Sequence, residues 1–323
     1  MELLKKYKMY DFMGQRKISL SISVVLVVAS FFLLFTKGLN YGIDFTGGTT
    51  VQIKYQSDAP ISSIREKLKQ NSKFDGTIVS YFGTNDEVVL KIPTSTKNIS
   101  NDVGDEVSKT IASTGKFEIR KVDMVGPKVG DELQTKGIMA ILLSIIVIII
   151  YVSYRFQWRF AISSVVALVH DISIALGAIS LFAIDVNLDI LAAILTILGY
   201  SLNDTIIVFD RIREGITNSK TNKLDEVIND SVSRTLTRTT LTSLTTFFVV
   251  FTLYIFGGEI IRGFSFTLLV GIVVGTYSSI FVASTILINL NFSIANYKKI
   301  LAVKLKQQQE KDRLRAQFEQ GTI

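Results

Sequence analysis

The chain has 323 residues, 48% of them hydrophobic and 20% charged, and a formal net charge of +7. With no cysteine and a single histidine, disulfides, thiol catalysis, Cys-ligated metals and a histidine metal cluster are excluded. The balance suits a multi-span membrane protein with a soluble portion, and the basic excess lies beside apolar runs, where it orders topology rather than nucleic-acid binding.

In chain order, residues 1–17 are basic (Lys5, Lys6, Lys8, Arg16, Lys17), and 18–35 form an apolar run. A signal peptide would show a small-x-small cleavage pattern, and residues 36–41 (TKGLNY) show none. The run is therefore expected to stay as a first span, 18–36, entered from the cytoplasm.

Residues 37–136 turn soluble in composition. Residues 49–55 (TTVQIKY) alternate like a strand, and 61–70 follow a proline with helical spacing. Residues 76–82 and 87–92 read as strands joined by a Gly83-Thr84-Asn85-Asp86 turn, 99–113 as a helix and 117–125 as a last strand. This βαββαβ order is the ferredoxin-like arrangement, an α+β domain between spans one and two. Its charges nearly cancel, so no electrostatic binding surface is marked.

Five further apolar runs are expected within 137–290: 137–154, 160–182, one from 191, then 241–256 and 264–290. The third contains His170-Asp171. A loop with Asp185 and Asp189 but no Lys or Arg precedes the fourth, and the basic segment 211–234 follows it. Within that segment Leu224, Val227, Ile228 and Val232 make a helical stripe. The tail, 291–323, is basic. Lys and Arg alternate rich and poor across the loops, which puts both termini in the cytoplasm and 37–136 outside. The whole is a membrane α-helical bundle of six spans carrying an extracytoplasmic domain.

The fourth run breaks its apolar pattern at Gly199-Tyr200-Ser201-Leu202-Asn203-Asp204. A carboxylate inside a span costs about 2.5–3.5 kcal/mol on insertion scales and marks a partner or a wet path. A purely structural buried charge is a poor stability device, so Asp204 is the leading candidate for function. Desolvation favours its neutral form and a nearby guanidinium the charged one, so a group switched between such surroundings takes up and releases a proton. Arg238 is the natural counterpart. Asp204 lies about 9 Å inside Asp210 at helical rise, a depth that Arg238 could reach from the same side. The alternative is that Arg234 and Arg238 are snorkelling anchors. Thr239, Thr240, Thr242, Ser243, Thr245 and Thr246 either solvate a proton path or pack helices closely. His170-Asp171 is a further ionisable pair at depth. Gly271-x-x-x-Gly275 reads as helix packing. Gly47-Gly48 is no phosphate loop, and no nucleophile-base arrangement appears, so an enzyme is not expected.

Several motifs together resemble the SecD/SecF protein-export family: Gly42-Ile43-Asp44-Phe45-Thr46-Gly47-Gly48, Val125-Gly126-Pro127-Lys128-Val129-Gly130, His170-Asp171, Gly199-Tyr200-Ser201-Leu202-Asn203-Asp204 with Asp210-Arg211, and Arg234 to Thr239. The last three resemble the SecF side of the family. The resemblance implies half of a pseudo-symmetric twelve-span complex with SecD in the bacterial plasma membrane, related to the resistance-nodulation-division transporters. It implies work beside the SecYEG channel and YajC on exported preproteins, driven by the proton gradient. It also implies that the proton-linked Asp and Arg are Asp204 and Arg238, with no cofactor beyond the proton. The rival classes are a small-molecule exporter half of that superfamily and a non-conducting scaffold.

Overall fold

The computed structural model describes residues 9–93, 103–219 and 221–319. Lys5, Lys6, Lys8 and residues 99–102 of the expected second domain helix lie outside them.

Helix α1 (Arg16–Thr36) leads into a short strand β1 (Asn40–Tyr41) and a single helical turn α2 (Ile43–Thr46). The α+β domain follows as β2 (Gly48–Tyr55), α3 (Ile61–Lys69), β3 (Ile78–Phe82), β4 (Thr84–Pro93), α4 (Val103–Ile111) and β5 (Phe117–Val125). Its antiparallel sheet runs β3-β4-β2-β5, which is the ferredoxin-like strand order. Alternation decides its faces: Val51 and Ile53 of β2 and Val88, Leu90 and Ile92 of β4 are buried, under Ile64 and Leu68 of α3 and Val107 and Ile111 of α4. The expected four-residue turn at 83–86 is tighter. Phe82 pairs with Thr84, and Gly83 alone bridges them at φ +78, a conformation glycine adopts without a Cβ penalty.

The bundle is α5 (Pro127–Arg155), α6 (Trp158–Leu181), β6 (Asp185–Val186), α7 (Leu188–Asn218), α8 (Leu224–Phe256) and α9 (Gly258–Asn289), followed by α10 (Ile294–Glu319). With α1, six helices among the described residues are long and apolar enough to cross a membrane, so the chain is a multi-pass membrane protein. Two bounds differ from those read off composition, at α5 and in the basic segment, while the fourth span is one helix as read. Helix α5 starts at Pro127, ten residues before the apolar run, because proline suits the first helical position and polar turns continue a helix outside lipid. Helix α7 runs unbroken through 199–204, since the polar side chains there bond sideways and leave the backbone ladder intact. The basic segment 211–234 is no separate helix. It divides between the end of α7 and the start of α8, where Ile212, Ile216, Val227, Ile228 and Val232 share one core.

Helices α6, α7 and α9 form the centre. Glycine lets α9 approach α7: a Cβ on Gly275 would stand 3.1 Å from the Ser201 Cβ, confirming the packing role of the Gly271/Gly275 pair. Helices α1, α5 and α8 lie outside, with more than four-fifths of their apolar windows unburied by this chain.

The motif glycines make the joint between domain and bundle. Strand β1 pairs in parallel with β6, and the Gly42 N–H donates to the Val186 carbonyl at 2.8 Å. Asp44 Oδ2 accepts from the Leu188 N–H at 3.0 Å, and Asn187 Oδ1 from the Ile190 N–H at 3.0 Å. Two side chains thus satisfy the start of α7. Gly47 turns the chain at φ +75, and a Cβ on Gly48 would strike Ile92 and Ile43. Gly126 caps α5, Pro127 opens it, and a Cβ on Gly130 would lie 2.7 Å from the Phe45 carbonyl oxygen.

Candidate functional site

Two polar knots sit inside the apolar bundle. Asp171 on α6 is wholly buried. Its Oδ1 lies 2.8 Å from His170 Nδ1, and its Oδ2 accepts from Ser201 on α7 at 2.5 Å and Ser278 on α9 at 2.8 Å. It therefore ties α6 to α7 and α9 through two hydrogen bonds, with a third to His170 inside its own helix. The His170 ring stacks on Tyr277, centroids 6.3 Å apart; its Nε2 is buried without a partner.

Asp204, one turn along α7 from Tyr200, is 1% exposed. Its Oδ2 accepts a 3.1 Å hydrogen bond from Ser243 on α8, and Ser243 in turn accepts from Thr276 on α9 at 2.8 Å. Among the described residues it makes no ion pair. This carboxyl is far less supported than Asp171. The phenol of Tyr200 is likewise buried with no partner.

The structure does not bring Arg238 to Asp204. Sequence spacing put them at one depth; Ser243 faces Asp204 and Ser231 Oγ faces the Arg211 carbonyl at 3.2 Å, so Arg238, between the two on α8, lies between those levels. The azimuth differs. Thr239 and Ser243 are buried on the face toward α7, whereas Arg238 and Asn203 are exposed. Each is one residue off the facing position, a turn of about 100°. Because α7 and α8 run antiparallel, both turn to the same side of the pair. Asn203 and Arg238 therefore make a polar patch at membrane depth that this chain leaves uncovered, with Thr242 and Thr245 exposed beside it on α8.

Asp210 and Arg211 stand apart from both knots. Asp210 holds Arg213 at 2.6 Å and Arg155 at 3.5 Å, and Arg211 holds Glu214 at 2.6 Å. Of these pairs, Arg155 to Asp210 fastens the α5–α6 turn to the end of α7; the other two lie within α7. Gly199 has open space where a Cβ would stand, so its neighbours within the chain do not require a glycine. Sequence reasoning named Ser243 as a possible part of a proton path but missed that Ser201, Ser278 and Thr276 complete the knots. Their only signal was small hydroxyls inside apolar runs, which packing explains equally well.

Six spans, a small ferredoxin-like domain between the first two, and ionisable residues buried at the bundle centre define a polytopic protein of the transporter class. Known proteins sharpen this. Residues 105–293 match the family described as protein export membrane protein SecD/SecF, C-terminal, and 32–59 match the SecD/SecF GG motif. The protein translocase subunit SecF of Helicobacter pylori is 45% identical over 323 residues, covering all of both chains. That of Vibrio alginolyticus is 44% identical over 90% of this chain and 92% of its own. The crystal structure of Thermus thermophilus SecDF, described as translocon-associated, superposes with a TM-score of 0.79 at 34% identity. It covers 90% of this chain, which spans 40% of that one. The chain belongs to the SecD/SecF family, on its SecF side.

Proposed function

We propose that the chain is the SecF-type subunit of the Sec export machinery, working with SecD to turn the proton gradient into polypeptide translocation through SecYEG, with YajC as a further associate. The carrying observation is Asp204, buried at mid-bundle and held by one serine hydroxyl. A carboxylate so placed without a cation is expensive in a membrane; a neutral carboxyl donating or accepting one hydrogen bond is not. Proton uptake and release at Asp204 is therefore the chemistry, and the proton is the only cofactor. A turn of α8 by about 100° would bring Arg238 onto the face toward α7 in place of the face that now presents Ser243 to Asp204. That gives the carboxyl a guanidinium in one arrangement and a serine in the other. His170 and Asp171 anchor this movement rather than carry the proton.

The exposed Asn203–Arg238 patch fits a partner helix better than lipid tails, which supports SecD as the occupant. The Lys/Arg pattern supports a bacterial plasma membrane with both termini inside and the α+β domain outside, where exported chains emerge. Among the described residues no surface supports a nucleic-acid partner and no arrangement of side chains supports catalysis. In vesicles holding the chain with SecD, Asp204→Asn should leave assembly intact and remove gradient-dependent translocation. Arg238→Lys should lose part of it and Arg238→Met more, since the planar fork is lost first and then the charge. Normal translocation by an assembled Asp204→Asn complex would refute the proton carrier. Loss of assembly would favour the scaffold instead, and gradient-driven efflux of small solutes the exporter.

A further inference from the structure

The buried face of α8 repeats a hydroxyl every fourth residue: Ser231, Thr235, Thr239 and Ser243, all less than a tenth exposed. The upper end meets Asp204 through Ser243. The lower end meets the Arg211 carbonyl through Ser231, on the wall of a cavity of about 370 Å³. That cavity lies between the ends of α7 and α8 and is lined also by Arg211, Glu214, Asp230 and Arg234. It is on the side of the bundle away from the α+β domain.

Within this repeat Thr239 differs from its neighbours. Thr235 donates to the Ser231 carbonyl at 3.1 Å, Ser231 to the Val227 carbonyl at 2.7 Å, and Ser243 to Asp204. Thr239 Oγ1 is buried and has no partner, although the i−4 carbonyl its neighbours use is within the same helix. An orphaned hydroxyl in a membrane interior carries a desolvation penalty with no return unless something binds it in another state. Its position is the one missing link between Asp204 and the cavity.

The spacing supplies the chemistry. Residues four apart on a helix rise about 6 Å. One water bridging two hydroxyls spans about 5.6 Å, two hydrogen bonds of ordinary length. A ladder with this period thus accepts one water per rung.

We propose that Ser243, Thr239, Thr235 and Ser231 form a proton relay between Asp204 and the cavity at the opposite end of the bundle, with Thr239 as the rung that opens or closes it. The Asp204 carboxyl releases its proton to the first oxygen. Each hydroxyl or water then accepts one proton on a lone pair and passes its own onward. The transfer ends with Asp204 as carboxylate and one proton in the cavity, and the hydroxyls are restored by turning back. Val208, Ile212 and Val232, buried in one cluster at this level, are the apolar plug that keeps the ladder dry in the present arrangement.

This relay rests on the proton-carrier reading of Asp204, and the test separates the two. Vesicles containing the chain with SecD are assayed for gradient-dependent preprotein translocation per assembled complex. Thr239→Val keeps the side-chain shape and removes the hydroxyl; the gradient-dependent rate should fall by about tenfold or more, while Thr239→Ser restores it. Should Thr239→Val impair assembly, Thr239→Ala is judged on the same measure. A normal gradient-dependent rate per complex for the hydroxyl-free variant, with Asp204→Asn inactive, overturns the relay and leaves the carrier standing. If Asp204→Asn is also active, the carrier falls first and the relay with it. A defect that Thr239→Ser does not restore marks Thr239 as a packing residue and also overturns the relay.

Discussion

The two buried aspartates should respond oppositely to the same substitution. Asp171→Ala removes the acceptor of two hydrogen bonds joining α6 to α7 and α9, and of a third from His170 in the same helix. Hydrogen bonds between membrane helices average about 0.6 kcal/mol and reach about 1.7, so the two interhelical ones together are worth roughly 1–3.5 kcal/mol. Asp204→Ala removes one such bond, roughly 0.6–1.7 kcal/mol, and also relieves the burial of an ionisable group. The two changes delete the same atoms, so the volume lost is common to both. Reversible unfolding of each variant in bicelles should therefore place Asp171→Ala clearly below Asp204→Ala, which stays near the parent. Gradient-dependent translocation should rank them differently: the Asp204 variant should be dead although stable. Equal destabilisation, or a larger loss at Asp204, would refute the division into an anchor and a carrier.

Three more outcomes are expected. Gly130→Ala must push against the Phe45 carbonyl at 2.7 Å and should destabilise by about 1–3 kcal/mol, whereas Gly126→Ala, with nothing within 4 Å, should be far milder; thermal unfolding of the two variants compares them. The fragment 48–125 contains the whole domain core and should give a mixed helix–strand circular-dichroism spectrum with its own melting transition; a disordered spectrum would refute an autonomous domain. Tags at Asn85 should be reachable from outside the cell and tags after Arg313 only from the cytoplasm, and an outside C-terminus would refute the six-span topology.

Six spans, the strand and helix order of the small domain, and the depth of Asp204 were all legible in the sequence. They depend on local composition and period: about 20 apolar residues must cross lipid, and side chains alternate on a strand. Depth along a helix also follows from counting, and that of Arg238 was read this way. Its facing was not legible. One residue turns a side chain by about 100°, and only the packing of α7 on α8 decides that Ser243 and Thr239, not Arg238, lie on its buried face, with Ser243 at Asp204. The same holds for the knots. Ser201, Ser243, Thr276 and Ser278 are ordinary small residues until helices 30 to over 100 positions apart meet. The joint at Gly42, Asp44 and Gly130 likewise unites segments distant in the chain, through β1 on β6 and α2 on α5. Sequence fixes what a residue can do and how deep it lies; which neighbour it meets is set by long-range packing, where close approach and burial choose among faces that composition leaves equal.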